Sequence, residues 1–344
     1  MREGWEYKNF ENCIVKSPKL KQVKKEVYNN GSQYPIISQE EKFISGYCDD
    51  ESIVCHIDRP IVVFGDHTRV LKYIDFDFVV GADGVKVIIP IKSIDSKFLL
   101  YFLQWYNIPN LGYSRHYKLL KDITVPIPHG TTQKTIVSEL DKLNELIRIK
   151  KEQLKDYDTL AQSIFYEMFG DPVVNEKGWE VKKFGDLFKL KSGDGLSSKD
   201  FKTGIYPVYG GNGISGYHNS FNMKGCYIII GRVGVYCGNV RKVDGEFWLT
   251  DNAFRLIYKE NEQNPFFILY LLNILDLHQY ANAAAQPVIS NLTLKSINVP
   301  LPPLSLQHSF AQKIEQIEQQ KAAIQKTITD LETLLAARMQ YWFD

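Results

Sequence analysis

The sequence predicts an α+β fold in which two mixed α/β domains are joined by two long antiparallel coiled-coil helices, arranged as an internal repeat with pseudo-twofold symmetry. Three observations predict it. Segments of the first half recur in order in the second half, short β-branched runs accompany apolar helical clusters, and two heptad patterns are sustained over ten positions each. The predicted domains span 1–130 and 171–305, and the predicted spacer helices span 131–170 and 306–344.

The repeat is clearest at its two ends. The tripeptide Gly-Trp-Glu at 4–6 returns at 178–180, and Leu120–Pro128 returns in similar form as Leu294–Pro302, both at a spacing of 174 residues. In the middle, the apolar cluster at 98–103 recurs at a spacing of 169, so the copies differ by loop insertions. Agreement at the ends and divergence between them are typical of one scaffold that carries two specificities.

The domains between the long helices are expected to mix strands and helices. Runs rich in β-branched residues and bounded by Gly, Asp or Asn predict strands, and the clearest are Ile61–Phe64, Val85–Ile89 and Tyr227–Ile230. Apolar clusters at Phe98–Trp105 and Phe266–Leu275 predict helices.

The two long helices are predicted from a seam of positions alternately four and three residues apart. Nine of ten such positions in the first copy and eight of ten in the second are apolar or aromatic. The seam residues that we assign to the spacer helices and to partner contacts are Ile136, Leu140, Leu143, Ile147, Leu154, Ile164, Phe310, Ile314, Ile317, Ile324, Ile328, Leu331 and Leu335. Lys150, Lys321 and Arg338 interrupt the seam, and such charges either fix the helix register or face a partner.

Chain order predicts the relative direction of the helices. The second domain follows the first helix and precedes the second helix, so if its own ends lie close together the helices must run antiparallel. A dumb-bell with Met1 near Asp344 is the expected result. The alternative that stays open is a long surface helix on a compact core.

Composition alone leaves the partner open. The net charge is +1, with 41 basic and 40 acidic residues, so any DNA-binding face must come from local placement of charge. The cysteines form no CxxC pair and no zinc spacing, which predicts reduced thiols, no metal site and a cytoplasmic location. Apolar stretches are too short to span a bilayer and no apolar signal segment is present, so we expect no membrane association.

The sequence holds no recognisable catalytic constellation. A Walker A motif is absent, and Leu301-Pro302-Pro303-Leu304 lacks the polar and aromatic residues that flank the prolines in amino-methyltransferases. Gly211–Gly216 matches GxGxxG, but no amphipathic helix follows it, so we expect a turn or a recognition loop there. The chain is therefore expected to be non-catalytic and to carry no cofactor.

Polar loops flanked by basic residues are the candidate recognition surface. Arg and Lys suit guanine edges and phosphates, whereas Asn and Gln suit adenine. The candidate DNA-binding residues are His67, Arg69, Lys72, Lys86, Arg115, His116, Lys118, Asn212, Arg232, Arg241, Asn252, Gln286 and Asn291. For any single residue a solvated loop position is an equally good interpretation, and only the grouping at matching places in two repeats favours recognition.

Several stretches resemble the specificity subunits of type I restriction–modification systems. The resemblance to that family's conserved regions lies in Val125–Pro128, Gln133, Ser163–Pro172, Gly178–Glu180 and Val299–Asp344, and the resemblance to its target-recognition domains lies in Gly65–Thr68 and Ala285–Pro287. Each string alone is common, so the ordered combination along nearly the whole chain carries the resemblance.

The resemblance implies two target-recognition domains, each of which reads one half of a bipartite site in double-stranded DNA. The two helices would set the unread spacer and hold two modification subunits, which methylate adenine and are joined by restriction subunits. S-adenosylmethionine, ATP and Mg are then expected in those partners and not in this chain. Two alternatives stay open: the DNA-binding part of a methyltransferase or nuclease, and a coiled-coil adaptor that binds no nucleic acid.

Overall fold

The computed structural model describes residues 2–17, 20–29, 33–82, 84–259, 263–282 and 286–344. It divides into two compact units: unit 1 comprises Met1–Lys151 and Lys326–Asp344, and unit 2 comprises Glu152–Gln325. Each long helix therefore contributes residues to both units.

The described residues of unit 1 form ten strands in three β-sheets. The strands are β1 (Glu6–Asn9), β2 (Ile14–Val15), β3 (Tyr34–Ile37), β4 (Gly46–Cys48), β5 (Val54–Cys55), β6 (Ile61–Gly65), β7 (Leu71–Ile74), β8 (Phe78–Val80), β9 (Val85–Pro90) and β10 (Thr124–Ile127). The helices that begin in this unit are α1 (Ser96–Tyr106), α2 (Tyr117–Leu120) and α3 (Gly130–Phe169). The sheet orders are β1-β10, β2-β9-β6-β7 and β4-β3-β8-β5.

Unit 2 repeats this arrangement strand for strand. Its strands are β11 (Glu180–Lys183), β12 (Phe188–Ser192), β13 (Tyr206–Gly210), β14 (Gly213–His218), β15 (Met223–Lys224), β16 (Tyr227–Gly231), β17 (Val240–Val243), β18 (Glu246–Leu249), β19 (Ala253–Tyr258) and β20 (Asn298–Leu301). Its helices are α4 (Phe184–Leu187), α5 (Pro265–Ile274), α6 (Asn291–Lys295) and the start of α7 (Leu304–Phe343). The sheet orders are β11-β20, β12-β19-β16-β17 and β14-β13-β18-β15.

The strand registers confirm the internal repeat. Glu6 lies opposite Ile127 in the β1–β10 pair, and Glu180 lies opposite Leu301 in the β11–β20 pair, both shifted by 174 residues. In each unit the third and eighth strands pair in parallel, whereas all other named pairs are antiparallel. The predicted strands at 61–64, 85–89 and 227–230 are β6, β9 and β16.

The predicted apolar helices are α1 and α5, and both begin with a side-chain cap. The Asp95 carboxylate accepts hydrogen bonds from the backbone N–H groups of the first turn of α1, and the Asn264 side chain does the same for α5. Pro265 occupies the first turn of α5, where its missing N–H leaves no intrahelical bond unmade.

The ends of the long helices complete the core of each unit. In unit 1 the Phe343 ring of α7 packs 5.6 Å from Phe98 and 5.7 Å from Phe102 of α1. In unit 2 the corresponding Phe169 of α3 packs 4.9 Å from Phe267 of α5. The core of each globular part therefore depends on aromatic residues from a long helix.

The two long helices pack antiparallel in unit 1. Glu139 of α3 forms an ion pair with Arg338 of α7, and the Lys151 ammonium of α3 lies 2.7 Å from the Glu332 carboxylate of α7. Residue numbers therefore increase along α3 in the direction in which they decrease along α7. Met1 lies outside the described residues, but the guanidinium of Arg2 lies 4.9 Å from the centre of the Tyr341 ring. The start of the chain is thus close to its end.

The same direction holds in unit 2. Asp158 of α3 lies 2.7 Å from Lys321 of α7, and Phe165 packs 5.6 Å from Phe310. The prediction of antiparallel helices is confirmed in both units. The helices begin at Gly130 and Leu304, one and two residues before the predicted starts at 131 and 306.

The predicted seam is buried along both helices. Of the thirteen seam residues assigned from the heptad pattern, each is buried or half-buried. Two of the charges that interrupt the seam are paired across it, Lys321 with Asp158 and Arg338 with Glu139. These charges bridge the helices, as expected for groups that fix the register.

Two further findings concern the described residues only. None of their helices is long and apolar enough to cross a membrane. No group of three or more His, Cys, Asp or Glu side chains among them is arranged to hold a metal ion.

Candidate nucleic-acid interface

Loops from different parts of unit 1 meet at one edge of its sheets. Strands β3 and β8 are parallel, so the loops that follow them leave the same edge, and antiparallel β6 and β9 bring the loop after β6 to the start of β9. The backbone N–H of Gly81 donates to the Ile37 carbonyl at 2.9 Å, and that of Asp66 donates to the Gly84 carbonyl at 2.6 Å. We call the loop residues 38–45, 66–70, 81–82, 84 and 107–116 the recognition edge of unit 1.

Asp66 joins two of these loops from a buried position. Its backbone carbonyl accepts the His116 N–H at 2.8 Å, and its carboxylate accepts the Tyr117 N–H at 2.7 Å. The ammonium of Lys86 lies 3.9 Å from the same carboxylate. A buried carboxylate must be compensated by such donors, so Asp66 fixes the edge and does not face solvent.

His116 was predicted to contact DNA, and this prediction is wrong because its side chain is fully buried. The imidazole Nε2 accepts the Leu111 N–H at 3.0 Å, so Nδ1 carries the ring proton and donates to the Asp66 carbonyl at 2.9 Å. Both ring nitrogens are used inside the unit. His116 therefore supports the loop 107–116 and has no group left for a base.

Lys72 is a second wrong prediction, since only 4% of the residue is exposed. Its ammonium donates to the carbonyls of Ser38 at 2.9 Å, Lys42 at 2.7 Å and Phe43 at 3.3 Å. Burial lowers the pKa of this lysine. The Lys72 ammonium therefore stabilises the loop between β3 and β4 and is not available to DNA.

The other candidates of unit 1 remain at the surface. His67, Arg69 and Lys86 are half-buried, whereas Arg115 and Lys118 are exposed. Arg69 adopts a left-handed backbone conformation, with φ 62°, and its guanidinium donates to the Ile108 carbonyl at 2.9 Å. Their contact with DNA stays a prediction.

Unit 2 builds an equivalent edge on the same backbone pattern. The Arg232 N–H donates to the Asn252 carbonyl at 2.9 Å, which corresponds to the bond from Asp66 to Gly84 in unit 1. The Arg232 carbonyl accepts the Ile289 N–H at 2.9 Å. An arginine thus stands where unit 1 has a buried aspartate, so the two edges share a scaffold and differ in chemistry.

Arg232 lies partly inside this second edge. Its guanidinium lies 5.4 Å from the centre of the Phe254 ring, and one terminal nitrogen is 3.5 Å from the Asp251 carbonyl. Its Nε is buried without a hydrogen-bond partner among the described residues. The residue is held by weak contacts, which leaves much of its hydrogen-bonding capacity for a ligand.

The remaining candidates of unit 2 lie in loops, in strand β17 and at the start of α6. Asn212, Asn252 and Gln286 are exposed, whereas Arg241 and Asn291 are half-buried. Ala285, the neighbour of Gln286, lies outside the described residues. Contact between these five residues and DNA also stays a prediction.

Close backbone approach explains two glycines of the unit 2 edge. A Cβ on Gly231 would lie 2.4 Å from the Gly211 carbonyl oxygen, and a Cβ on Gly211 would lie 2.6 Å from the Val233 carbonyl oxygen. The GxGxxG string at 211–216 forms the turn and second strand of the β13–β14 hairpin, as predicted for a turn.

A solvent-filled cleft of about 1000 Å³ lies beside this hairpin, within unit 2. Arg241 and Lys242 of β17 line one side, and Phe266 and Tyr270 of α5 line another. Burial raises the pKa of the Tyr270 phenol to about 12, so the phenol is uncharged at neutral pH. Lys321, Asp158 and Glu318 of the long helices also line the cleft, so it offers charges of both signs and aromatic surface.

Exposed aromatic and apolar side chains at both edges escaped the sequence analysis. Tyr113 is 97% exposed at the recognition edge of unit 1, and Val235, at 72%, and Tyr236 are exposed in the loop that follows β16. The sequence prediction was based on polar and basic side chains, and these residues are neither basic nor strongly polar. The available signal was an aromatic residue beside glycine, as in Gly112-Tyr113, within a segment that contains Arg115 but no acid.

Two stretches of the chain, residues 3–156 and 176–333, each match the type I restriction modification DNA specificity domain. The chain belongs to this family. One copy falls in each repeat, so the repeat of ten strands is a repeat of the specificity domain.

Proteins similar in sequence include specificity subunits of type I restriction enzymes. The type I restriction enzyme EcoprrI specificity subunit of Escherichia coli is 28% identical over 195 residues, which cover 54% of this chain and 48% of that protein. The type I restriction enzyme MjaIX specificity subunit of Methanocaldococcus jannaschii is 28% identical over 141 residues, which cover 34% of this chain and 33% of that protein. The matches therefore span half or less of these relatives' own length.

Solved structures show the same fold for the specificity-domain pair. The type I restriction-modification system S subunit from M. genitalium aligns over 99% of this chain and 96% of its own, with a TM-score of 0.62 and 17% sequence identity. A second structure, which concerns complex assembly and conformational transition of the type I R-M system, aligns over 99% of this chain with a TM-score of 0.55 and 15% identity.

Proposed function

We propose that this chain is the DNA-reading subunit of a type I restriction–modification system and that it catalyses no reaction itself. Each unit would read one half of a bipartite DNA site. The observation that carries this proposal is the pair of specificity-domain matches, one per repeat. The shared backbone with different exposed side chains, such as Arg115 in unit 1 and Asn252 in unit 2, supports two different half-sites.

The two edges offer different chemistry to DNA. Unit 2 exposes the amides of Asn212, Asn252 and Gln286, and amides pair well with the major-groove edge of adenine. Unit 1 exposes Arg115 and Lys118, which suit guanine and phosphate. The net charge of +1 gives little general attraction to phosphate, so partner subunits would supply part of the affinity.

The long helices would hold the partners. In unit 1 the apolar side chains of Leu146, Ile149 and Leu334 are each more than a third exposed on α3 and α7. Apolar side chains exposed in this way favour contact with another protein. Two modification subunits that bind S-adenosylmethionine would dock there, and restriction subunits that use ATP and Mg would join them in the cytoplasm.

The test is to co-express the chain with its modification subunits in a host without adenine methylation and to sequence the methylated adenines. The expected result is one motif with two specified halves and an unspecified spacer, present only when this chain is present. Methylation that is equally specific without the chain would contradict the proposal. Binding of S-adenosylmethionine by the isolated chain would instead favour an enzyme.

A matched pair of variants sharpens the test. Asn212 lies in the β13–β14 turn at the recognition edge, and Asn219 follows the other end of β14; both are exposed. Asn212→Ala should relax the motif at one position of one half-site, because the amide that discriminates adenine is lost. Asn219→Ala should leave the motif unchanged.

A further inference from the structure

The recognition edge of unit 1 presents a pair of stacked aromatic rings to solvent. The rings of Tyr113 and His67 are 5.2 Å apart between centroids and inclined by 13°. Nearly parallel rings at this separation are offset, so most of the phenol surface stays accessible, and Tyr113 is 97% exposed. A side chain of this size is normally at least partly covered.

Hydrogen bonds from two neighbouring loops hold the His67 member of this ring pair. The His67 backbone N–H donates to the Gln39 side-chain oxygen at 3.1 Å, and its ring Nδ1 lies 3.2 Å from the Ser114 carbonyl oxygen. Gly112 takes a left-handed conformation, with φ 71°, which turns the chain directly before Tyr113. The His67 ring is thus held by two loops, and the Tyr113 ring stacks on it.

The charge around the rings indicates what kind of molecule they meet. Residues 107–118 include Arg115 and Lys118 and contain no aspartate or glutamate. Both cations are exposed, two and five residues after Tyr113 in the chain. Among the other acids of the recognition edge, Asp66 is buried and Glu40 is paired with Lys25, while Glu41 is exposed. An accessible aromatic surface with cations in its own loop suits a planar base attached to a phosphate backbone.

We propose that Tyr113 and His67 form a platform on which one base stacks after it has left the DNA helix. The proposal rests on the DNA-reading function above. Inside a duplex both faces of a base are covered by its neighbours, so only an unstacked base can offer a face to the phenol ring. Arg115 and Lys118 hold the phosphates on either side of that base.

The experiment compares two duplexes of the same random sequence, one fully paired and one with a single unpaired 2-aminopurine. Because extrusion of an unpaired base costs least, the full-length chain should bind the bulged duplex about tenfold more tightly, a typical worth of one base–aromatic stack. The 2-aminopurine fluorescence should fall on binding as the base stacks. Tyr113→Ala should remove both effects, and Tyr113→Phe should keep them.

Tyr217→Ala is the control, since Tyr217 is likewise an exposed tyrosine, at 55%, but lies away from the turn of its hairpin in unit 2. It should behave as the unsubstituted chain, and all three variants should unfold at the same temperature.

If the chain binds both duplexes equally and Tyr113→Ala changes nothing, the platform is wrong while DNA binding stands. If the chain binds no DNA at low salt, the proposed function fails as well. If Tyr113→Ala weakens only assembly with modification subunits, Tyr113 is a protein contact and the platform is again wrong.

Discussion

Lys72 and Arg241 occupy equivalent positions in the two units and have different environments. Lys72 lies opposite Val63 in the β6–β7 pair, and Arg241 lies opposite Ile229 in the β16–β17 pair. The Lys72 ammonium reaches three carbonyls of the long loop 38–45. In unit 2 the corresponding connection is a tight turn, and the Arg241 guanidinium donates a long hydrogen bond, at 3.5 Å, to the Asn212 carbonyl.

Replacement by methionine should therefore lower the stability of the fold at Lys72 and weaken DNA binding at Arg241. Lys72→Met leaves carbonyls without a donor, so we expect the free energy of unfolding to fall by about 2 kcal/mol. Arg241→Met should change it by less than about 0.5 kcal/mol, as for a surface substitution, but should weaken DNA binding. Urea unfolding and a mobility-shift assay measure the two effects. A stable Lys72→Met chain with weakened DNA binding would show that Lys72 reaches DNA after all.

Residue type alone could not separate these cases. Lys72, His116 and Arg115 are all basic or imidazole side chains in or close to a polar loop of the sequence, so all three were equally good candidates. Whether a polar side chain turns inward depends on carbonyls supplied by loops distant in sequence, such as 38–45 for Lys72 and Asp66 for His116. Those loop conformations have no periodic sequence pattern from which they could be predicted.

At the scale of elements, the contact between α3 and α7 in unit 1 is reinforced by a polar cluster. The carboxylate of Glu139 accepts hydrogen bonds from the Arg338 guanidinium, one of them at 3.0 Å, and from the Trp342 indole N–H at 2.9 Å. These interactions, chiefly the hydrogen bond from Arg338, lower the pKa of Glu139 below its ordinary value of 4.5. The pair is about a third exposed, which limits its contribution to stability.

Glu139→Gln should make the helix contact less stable at neutral pH and less sensitive to acid. A carboxylate with a lowered pKa stabilises the fold above its unfolded pKa, and this contribution is lost as the pH falls through the folded-state pKa. We expect a deficit of about 1 kcal/mol at pH 7 that shrinks below about pH 4.5. Urea unfolding across this range measures it.

Glu315→Gln, at an exposed position of α7, is the control and should differ little from the unsubstituted chain at any pH. A deficit for Glu139→Gln that persists unchanged into acid would mean that shape, and not charge, is what the site requires.

Elements with a regular pattern were predictable, and short ones were not. The heptad seam found both long helices, and β-branched runs found β6, β9 and β16, because their side chains repeat with the period of the element. Two-residue strands such as β2 and β15 are too short to show a period. They exist because neighbouring strands supply their hydrogen bonds.

At the scale of the whole molecule, each unit has a hydrophobic core of its own. The core of unit 1 includes Phe98, Phe102 and Phe343, and the core of unit 2 includes Phe267 and Phe310. In neither of these two clusters does a buried residue come from the other unit. Each reading unit should therefore accept replacement without loss of the other.

Exchange of residues 171–298 for the equivalent segment of a relative should change only one half of the recognised DNA site. The segment lies wholly within unit 2, and its removal leaves Phe165, Phe169 and Phe310 in place to receive the donor's helix. The donor must carry a large apolar residue at the position of Phe267, because this ring packs against both Phe165 and Phe169. A donor altered to alanine there should destabilise unit 2 by about 3–5 kcal/mol and lose specific methylation. Sequencing of methylated adenines gives the motif recognised by a chimaera whose donor segment keeps a large apolar residue at the position of Phe267. A change in both half-sites, or in neither, would mean that the two units do not read DNA independently.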